Sequence, residues 1–470
     1  MKNFSSLVTI IPIFVVLVML KETRCSFRQL KLYEFQTMLQ HKTTFSTPAP
    51  EPVPSPASSG RVFYPIGYGA DPTGAQDSTS AVLQALNDAG KLQSGLDLLP
   101  GITDLGGVVI DLQGGNFRIS SPIRFPSGIG NIVVQGGTLR ASNTFPGDRH
   151  LIELWAPDSL KTPGKDKFSD RRDLNSGMKY EDVTFRDILF DSSYQGGGLL
   201  VIDSARIRVM NCFFLHFTTQ GILVERGHET FISSCFLGQH PTVGGDRTEN
   251  DVAIFSAATG IILRGRANII TGVHCYNKAT CFGGVGILVK SAQNRIIDPY
   301  LDFNSIVIED PDQVHISNGF FLGDGNIVLK SIQGRISGLN IVNNIFSGDP
   351  TNMVSSVKLD GVFTSIDQVV IDHNVVNGMA LKSTVGKLTV AANGTKWVAD
   401  FSRILLFPDK INHVEYSFYA RGGIANGFPA HAVTNVSNNV VVIESQRAVN
   451  AVVSVSVDQH NMVGEDILAM

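Results

Sequence analysis

The sequence predicts an all-β fold: a right-handed parallel β-helix with an N-terminal capping helix and a C-terminal β region. Three observations predict it. Similar segments recur with a period near 21, charged residues are only 17% of the chain, and glycine supplies 46 of its 470 residues. Ordinary domains carry roughly 25% charge and ~7% glycine. Low charge with many glycines fits short buried strands broken by tight turns, and a 43% hydrophobic content excludes global disorder.

The elements follow in order. Lys2 and the apolar run Leu7–Leu20, ended by Lys21, Glu22 and Arg24, read as a signal peptide over residues 1–25. The run falls short of the ~20 residues a spanning helix needs, and Pro12 interrupts it. The mature chain is therefore expected to be secreted, extracellular and off the membrane. Residues 26–60, ending in the proline-dense TTFSTPAPEPVPSPASSG, read as an extended linker. The β-helix is expected over 61–395. Ser78–Gly90 has a helical apolar rhythm, a serine at its start and a glycine at its close, and is expected to cap the open N-terminal end.

The repeat units open at Gly198, Gly221, Gly260, Gly286, Ser305 and Asn326, with intervals of 23, 39, 26, 19 and 21 residues. Each has an alternating apolar strand, a polar turn, a second strand and an apolar close. No unit can bury its apolar face alone, so the units must stack. Beyond Lys396 the alternating runs lengthen, as in His413–Ala420 and Asn439–Glu444. They predict a C-terminal β region over 396–470, either last coils or a small antiparallel cap.

The formal charge is 38 − 42 = −4, which argues against a nucleic-acid binder working by bulk charge. Cys212, Cys235, Cys275 and Cys281 are an even set, Cys25 lying at the expected cleavage point. Cys212 and Cys235 hold the same place in consecutive units, so they either bridge coils or ladder in the core; Cys275 and Cys281 enclose a short turn. Their spacing matches no zinc pattern, so no metal is expected. Asn393 and Asn435 stand in glycosylation sequons.

The segment GYGADPTGAQDSTSAVLQALNDAG (67–90), with GGVVIDLQGGNFRISSPIRF (106–125), resembles the opening of the pectate-lyase-like β-helix superfamily. Over residues 61–470 the chain resembles the divergent quartet-type polygalacturonases of plants, akin to glycoside hydrolase family 28. The resemblance implies cofactor-free, inverting hydrolysis of the α-1,4-galacturonan of cell-wall pectin, by a monomer, in wall loosening or pollen-tetrad separation. The usual motifs are absent. Where Asn-Thr-Asp-Gly-Ile is expected the chain reads Thr218-Thr219-Gln220-Gly221-Ile222, and for Gly-Asp-Asp it reads Gly238-Gln239-His240. No Asp-Asp pair and no Gly-His-Gly occurs, and Gly286-Ile287-Leu288-Val289-Lys290 keeps only the lysine of Arg-Ile-Lys.

The acids must then be sought elsewhere. The long second interval holds an excess near 239–257 with Asp246, Glu249 and Asp251, beside His240 and Arg247. Loops on rigid scaffolds often carry function, so this one is expected either to supply a catalytic carboxylate, Arg247 and His240 assisting in binding, or to be a solvated surface loop. Asp302 is the preferred second carboxylate and Asp324 the next, with His274 as an acid–base partner. Each also has a plainer reading, as a turn-forming Asp or a structural His. Arg264 and Lys290, at the fifth position of adjacent units, are expected either to hold a uronate carboxylate or to join a ladder with Glu225 and Glu309. The mixed-charge stretch 161–179 is a second basic candidate. A calcium-dependent lyase and a non-catalytic carbohydrate-binding β-helix are the competing functions.

Overall fold

The computed structural model describes residues 57–92, 96–159, 177–238, 258–276, 284–421 and 427–460. The expected signal peptide, the expected linker up to residue 56, Cys281 and the 239–257 segment lie outside them. Within the last residues of that linker, Ser58–Ser59 pairs antiparallel with Val62–Phe63, so ordered structure starts before Arg61. No helix among the described residues is long and apolar enough to cross a membrane.

The chain winds as a parallel β-helix, right-handed as parallel crossovers are. Each coil runs through a leading, a middle and a trailing strand. Gln220–Glu225, Phe231–Ser233 and Phe236–Gly238 make one such coil. The repeat is in register: Leu199, Ile222, Ile261, Ile287, Ile306 and Ile327 pair in succession along the leading sheet. That sheet has nine strands, from Ile123–Arg124 to Val357–Asp360. Middle and trailing strands are continuous in Ile129–Ala141 and Tyr180–Asp191. In later coils a left-handed residue separates them: Asn211, Ser234, Gly272, Asp298, Asn318, Asn343 and His373 all have positive φ. Asn, Asp and Gly tolerate that conformation best, and they fill five of these seven places.

The column expected of the opening glycines is present. A Cβ on Gly198 would meet the carbonyl oxygen of Gly221 at 2.6 Å, one on Gly221 that of Gly260 at 2.8 Å, and one on Gly260 that of Gly286 at 2.4 Å. Glycine is needed there because the chain turns a corner against the next coil. Inside, Phe190 stacks on Phe214 and Phe321 on Phe346, each with ring centroids 4.5 Å apart. Buried amides run across coils at the turns: Asn268 donates to Asn294 (2.9 Å) and Asn344 to Asn374 (3.0 Å). Such amide ladders satisfy polar groups the core would otherwise strand. Cys212, Cys235 and Cys275 are buried free thiols, a core ladder and not bridges.

The capping helix α1 is Thr79–Ala89, burying Val82, Ala85, Leu86 and Ala89 over the first coils. Its ends differ from expectation. Ser78 makes no cap bond; its Oγ accepts from Asp71 N, while Asp77 accepts from Thr79 N (3.2 Å). Gly90 is right-handed helical instead of left-handed. At the other end, Val385–Asp400 pairs antiparallel along the long strand Val440–Asp458, whose far side takes His413–Ala420 and His431–Ser437. Trp397, Phe401, Ile443 and Val453 belong to this sheet's own core. In this sheet antiparallel pairing begins at Val385, upstream of Lys396.

Candidate active site at one corner of the coil

One corner, where each trailing strand hands over to the next leading strand, collects most of the candidate chemistry. Trailing strands are three residues long, so the central one points in and its neighbours point out. The inward column is Phe214, Leu237, Cys275, Leu301 and Phe321. The first outward column is Phe213, Phe236, His274, Tyr300 and Phe320, and the second is Asp191, Leu215, Gly238, Tyr276, Asp302 and Leu322. Phe213 stacks on Phe236 at 5.6 Å, His274 stands edge-on to Phe236 at 5.1 Å and to Tyr300 at 4.5 Å, and Tyr300 lies 6.0 Å from Phe320. The corner is thus flanked by an aromatic ladder interrupted by one imidazole.

Asp302 and His274, on adjacent trailing strands, form a pair. His274 Nε2 lies 2.9 Å from Asp302 Oδ2, with side chains 26% and 14% exposed. Both are positioned by rigid strands and both touch solvent. The neighbouring Tyr276 hydroxyl is held above its ordinary pKa by burial and then by the charge of Asp302, so it stays a neutral donor. Gly238 is two coils from Asp302 in the same column, roughly 10 Å away at ~4.8 Å per coil. The segment with His240, Asp246, Arg247, Glu249 and Asp251 starts beyond it, outside the described residues.

Other expected residues have structural partners. Both oxygens of Asp324 are taken by the following turn, accepting from Asp349 N at 2.8 Å and Asn352 Nδ2 at 2.7 Å. Those two bonds fix Asp324 as the carboxylate that holds the turn, its plainer structural reading. Arg264 pairs with Glu225 (3.2 Å), and Lys290 with Glu309 (3.2 Å), which also takes Lys330 (3.4 Å). The fifth position is therefore an ion-pair ladder on the outside of the leading sheet, not a free basic groove. Of the 161–179 stretch, the described end holds Lys179, paired with Asp158 at 2.6 Å.

Over 439 residues, 87% of each chain, the sequence is 48% identical to Polygalacturonase QRT3 of Arabidopsis thaliana. The chain belongs to the polygalacturonase family. No family model matches it. Among solved structures, the polygalacturonase from Erwinia carotovora ssp. carotovora is 12% identical, with a TM-score of 0.37 over 66% of this chain and 83% of that one. The Dettilon tailspike protein gp208 is 10% identical, with a TM-score of 0.41 over 90% and 100%.

Register corrects one expectation about this polygalacturonase-family chain. Gln220 lies opposite Thr259, and Thr259 opposite Val285. Gly238 ends a trailing strand, so residues 238–240 are not the next-coil counterpart of 218–220. The insertion precedes the coil start instead of occupying it.

Sequence reasoning missed a second histidine–carboxylate pair at the same corner. His216 Nδ1 is 2.8 Å from Asp191 Oδ1, and Asp191 also accepts from Arg140 Nε at 2.9 Å. Burial works to raise the Asp191 pKa, but the bond from His216, the charge of Arg140 and the bond from Ser193 N hold it below the usual range. His216 Nε2, Ser192 Oγ and Thr219 Oγ1 are buried without a protein partner among the described residues. The only available signal was that His216 stands four residues before Gln220, in the turn that opens the next coil.

His150 reaches across Gly197 to Gln220, its Nε2 3.2 Å from Gln220 Oε1; a Cβ on Gly197 would strike the ring at 2.4 Å. Burial pushes His150 down to about 4. An unfolded histidine titrates near 6.5, so between about pH 6.5 and 4 the unfolded chain binds the extra proton. The neutral His150 therefore contributes full stability above that window and loses it as pH falls, by up to about 3 kcal/mol. Thermal melts at pH 7 and pH 4.5 should show a larger acid loss for the wild type than for His150→Gln; equal losses would contradict this assignment.

Proposed function

We propose that this chain is a secreted polygalacturonase that hydrolyses α-1,4-galacturonan of cell-wall pectin, in wall loosening or pollen-tetrad separation. The observation that carries the reading is the 48% identity to a polygalacturonase along 87% of both chains. Inverting hydrolysis needs one carboxyl to protonate the leaving oxygen and another, roughly 6.5–9.5 Å away, to activate water. Asp302 is one, oriented by His274 at 2.9 Å. Asp246, Glu249 or Asp251 is the other, in a segment that starts two coils from Asp302. Arg247 and His240 in that segment serve binding. The aromatic ladder lines the bound sugar chain.

Singly replacing Asp246, Glu249 and Asp251 by Asn or Gln is expected to abolish reducing-end release from polygalacturonate in at least one variant. Full activity in all three would remove the segment from the mechanism. A second reading, a non-catalytic pectin-binding β-helix, draws support from Gln220, Thr259 and Val285, a column without a carboxylate at the coil starts. Binding without cleavage would favour it, whereas an unsaturated product and loss of activity with chelator would favour a lyase. Asn393 and Asn435 are both exposed, as glycan acceptors must be. Glycan occupancy at these sites is expected in protein from a secretory host and is read by mass spectrometry.

A further inference from the structure

We propose that Arg124, at the N-terminal end of the leading sheet, is a recognition site for a uronate carboxylate of a polyuronide chain; this rests on the galacturonan reading. Arg124 pairs in register with Glu153, which is fully buried. Glu153 accepts from Arg124 Nε (3.1 Å), Arg149 Nε (2.9 Å), Trp155 Nε1 (2.8 Å) and His150 N (3.2 Å). Arg149 NH2 closes on the same carboxylate at 2.5 Å. Burial opposes its charge, but the bonds from Arg149, Trp155 and His150 N, Arg149 foremost, hold the Glu153 pKa below the usual range.

Arg124 is placed differently from Arg149. Its guanidinium lies over the Trp155 ring, 4.8 Å from the centroid, and only its Nε side is bound. The side chain is 50% exposed, and its two terminal nitrogens have no partner among the described residues. Glu153 and Trp155 thus clamp one edge of a rigid planar fork and leave the other edge outward. Such a fork matches a carboxylate in two parallel bonds, and a pre-oriented one loses little freedom on binding. Glu153 is shared between Arg124 and Arg149, so two guanidiniums face one carboxylate, and the exposed Asp148 acts on Arg149. Five coil steps separate Glu153 from Val307, the leading strand that follows Asp302. At ~4.8 Å each that is roughly 24 Å, so a ligand touching both places is an extended polymer.

The chain has two tryptophans, and Trp397 is buried in the C-terminal sheet, so a ligand-induced change in tryptophan fluorescence reports chiefly on Trp155. Titration with long oligogalacturonides is expected to quench the wild type, with affinity about tenfold weaker in Arg124→Gln, as for loss of one charge-assisted pair. A fully methyl-esterified oligomer, lacking the carboxylates, should bind both proteins alike. Equal galacturonan affinity in the two proteins, or an equal loss for the neutral oligomer, overturns the proposal. Should Arg124→Gln not fold, Arg124→Lys replaces it. Lysine keeps the charge and lacks the fork; weakened galacturonan binding supports the proposal and unchanged binding overturns it. The two readings fail separately. Arg124-dependent binding without cleavage would sink the hydrolase, and cleavage with an unchanged KM in Arg124→Gln would sink this site.

Discussion

Asp302→Asn is expected to slow galacturonan cleavage by about 10²- to 10⁴-fold, the usual contribution of a positioned acid or base. The amide keeps the shape and can still bond His274, so the coil should remain intact and KM should change little. His274→Gln is expected to cost less and to alter the pH profile, because His274 acts through Asp302. Rates of reducing-end release on polygalacturonate, with melting curves of each variant, separate these outcomes. An Asp302→Asn protein within a few-fold of wild type would make the pair a surface ion pair and nothing more.

Gly260→Val is expected to prevent folding. The added Cβ would lie 2.4 Å from the Gly286 carbonyl oxygen, and that oxygen belongs to the backbone of the next coil. Nothing flexible can yield, so two coils must separate and the ladder between them breaks. Overpacking alone costs about 1–3 kcal/mol, and the lost ladder adds to it, against total stabilities of roughly 5–15 kcal/mol. Gly394→Ala is the control: it lies in a strand of the C-terminal sheet with nothing within 4 Å of a built Cβ. Its denaturation midpoint should match the wild type, while Gly260→Val should yield insoluble or unfolded protein. A cooperative, wild-type-like transition in Gly260→Val would contradict the glycine column.

The coils were legible because stacking imposes one environment on each position. Gly198, Gly221, Gly260 and Gly286 had to be glycine for the same reason, and Leu199 and its counterparts had to be apolar for another. The site was less legible. Asp302 and His274 were recognisable as outward residues near a coil edge, but their bond joins positions 28 apart in chains of unequal coil length. Asp191 was hidden because it ends a 12-residue strand, Tyr180–Asp191, in which middle and trailing parts run together and the repeat is not visible. The misplaced 238–240 counterpart had a similar origin, since the pattern did not say on which side of the coil start the extra residues fell. Arg264 and Lys290 share the fifth position with Glu225 and Glu309, and that pattern suits a uronate clamp and an ion-pair ladder equally; the spacing of the side chains makes it a ladder. Arg124 lay in a two-residue strand with no periodic signal, and its significance comes from Glu153 and Trp155, which reach it across the sheet.

The most direct trial is a time course of purified wild-type and Asp302→Asn protein on polygalacturonate, following reducing ends and unsaturated uronide together. Hydrolysis at this corner predicts reducing ends without unsaturated product from the wild type, undiminished by chelator, and almost none from the variant. Unsaturated ends, a silent wild type, or an unimpaired Asp302→Asn would each contradict it.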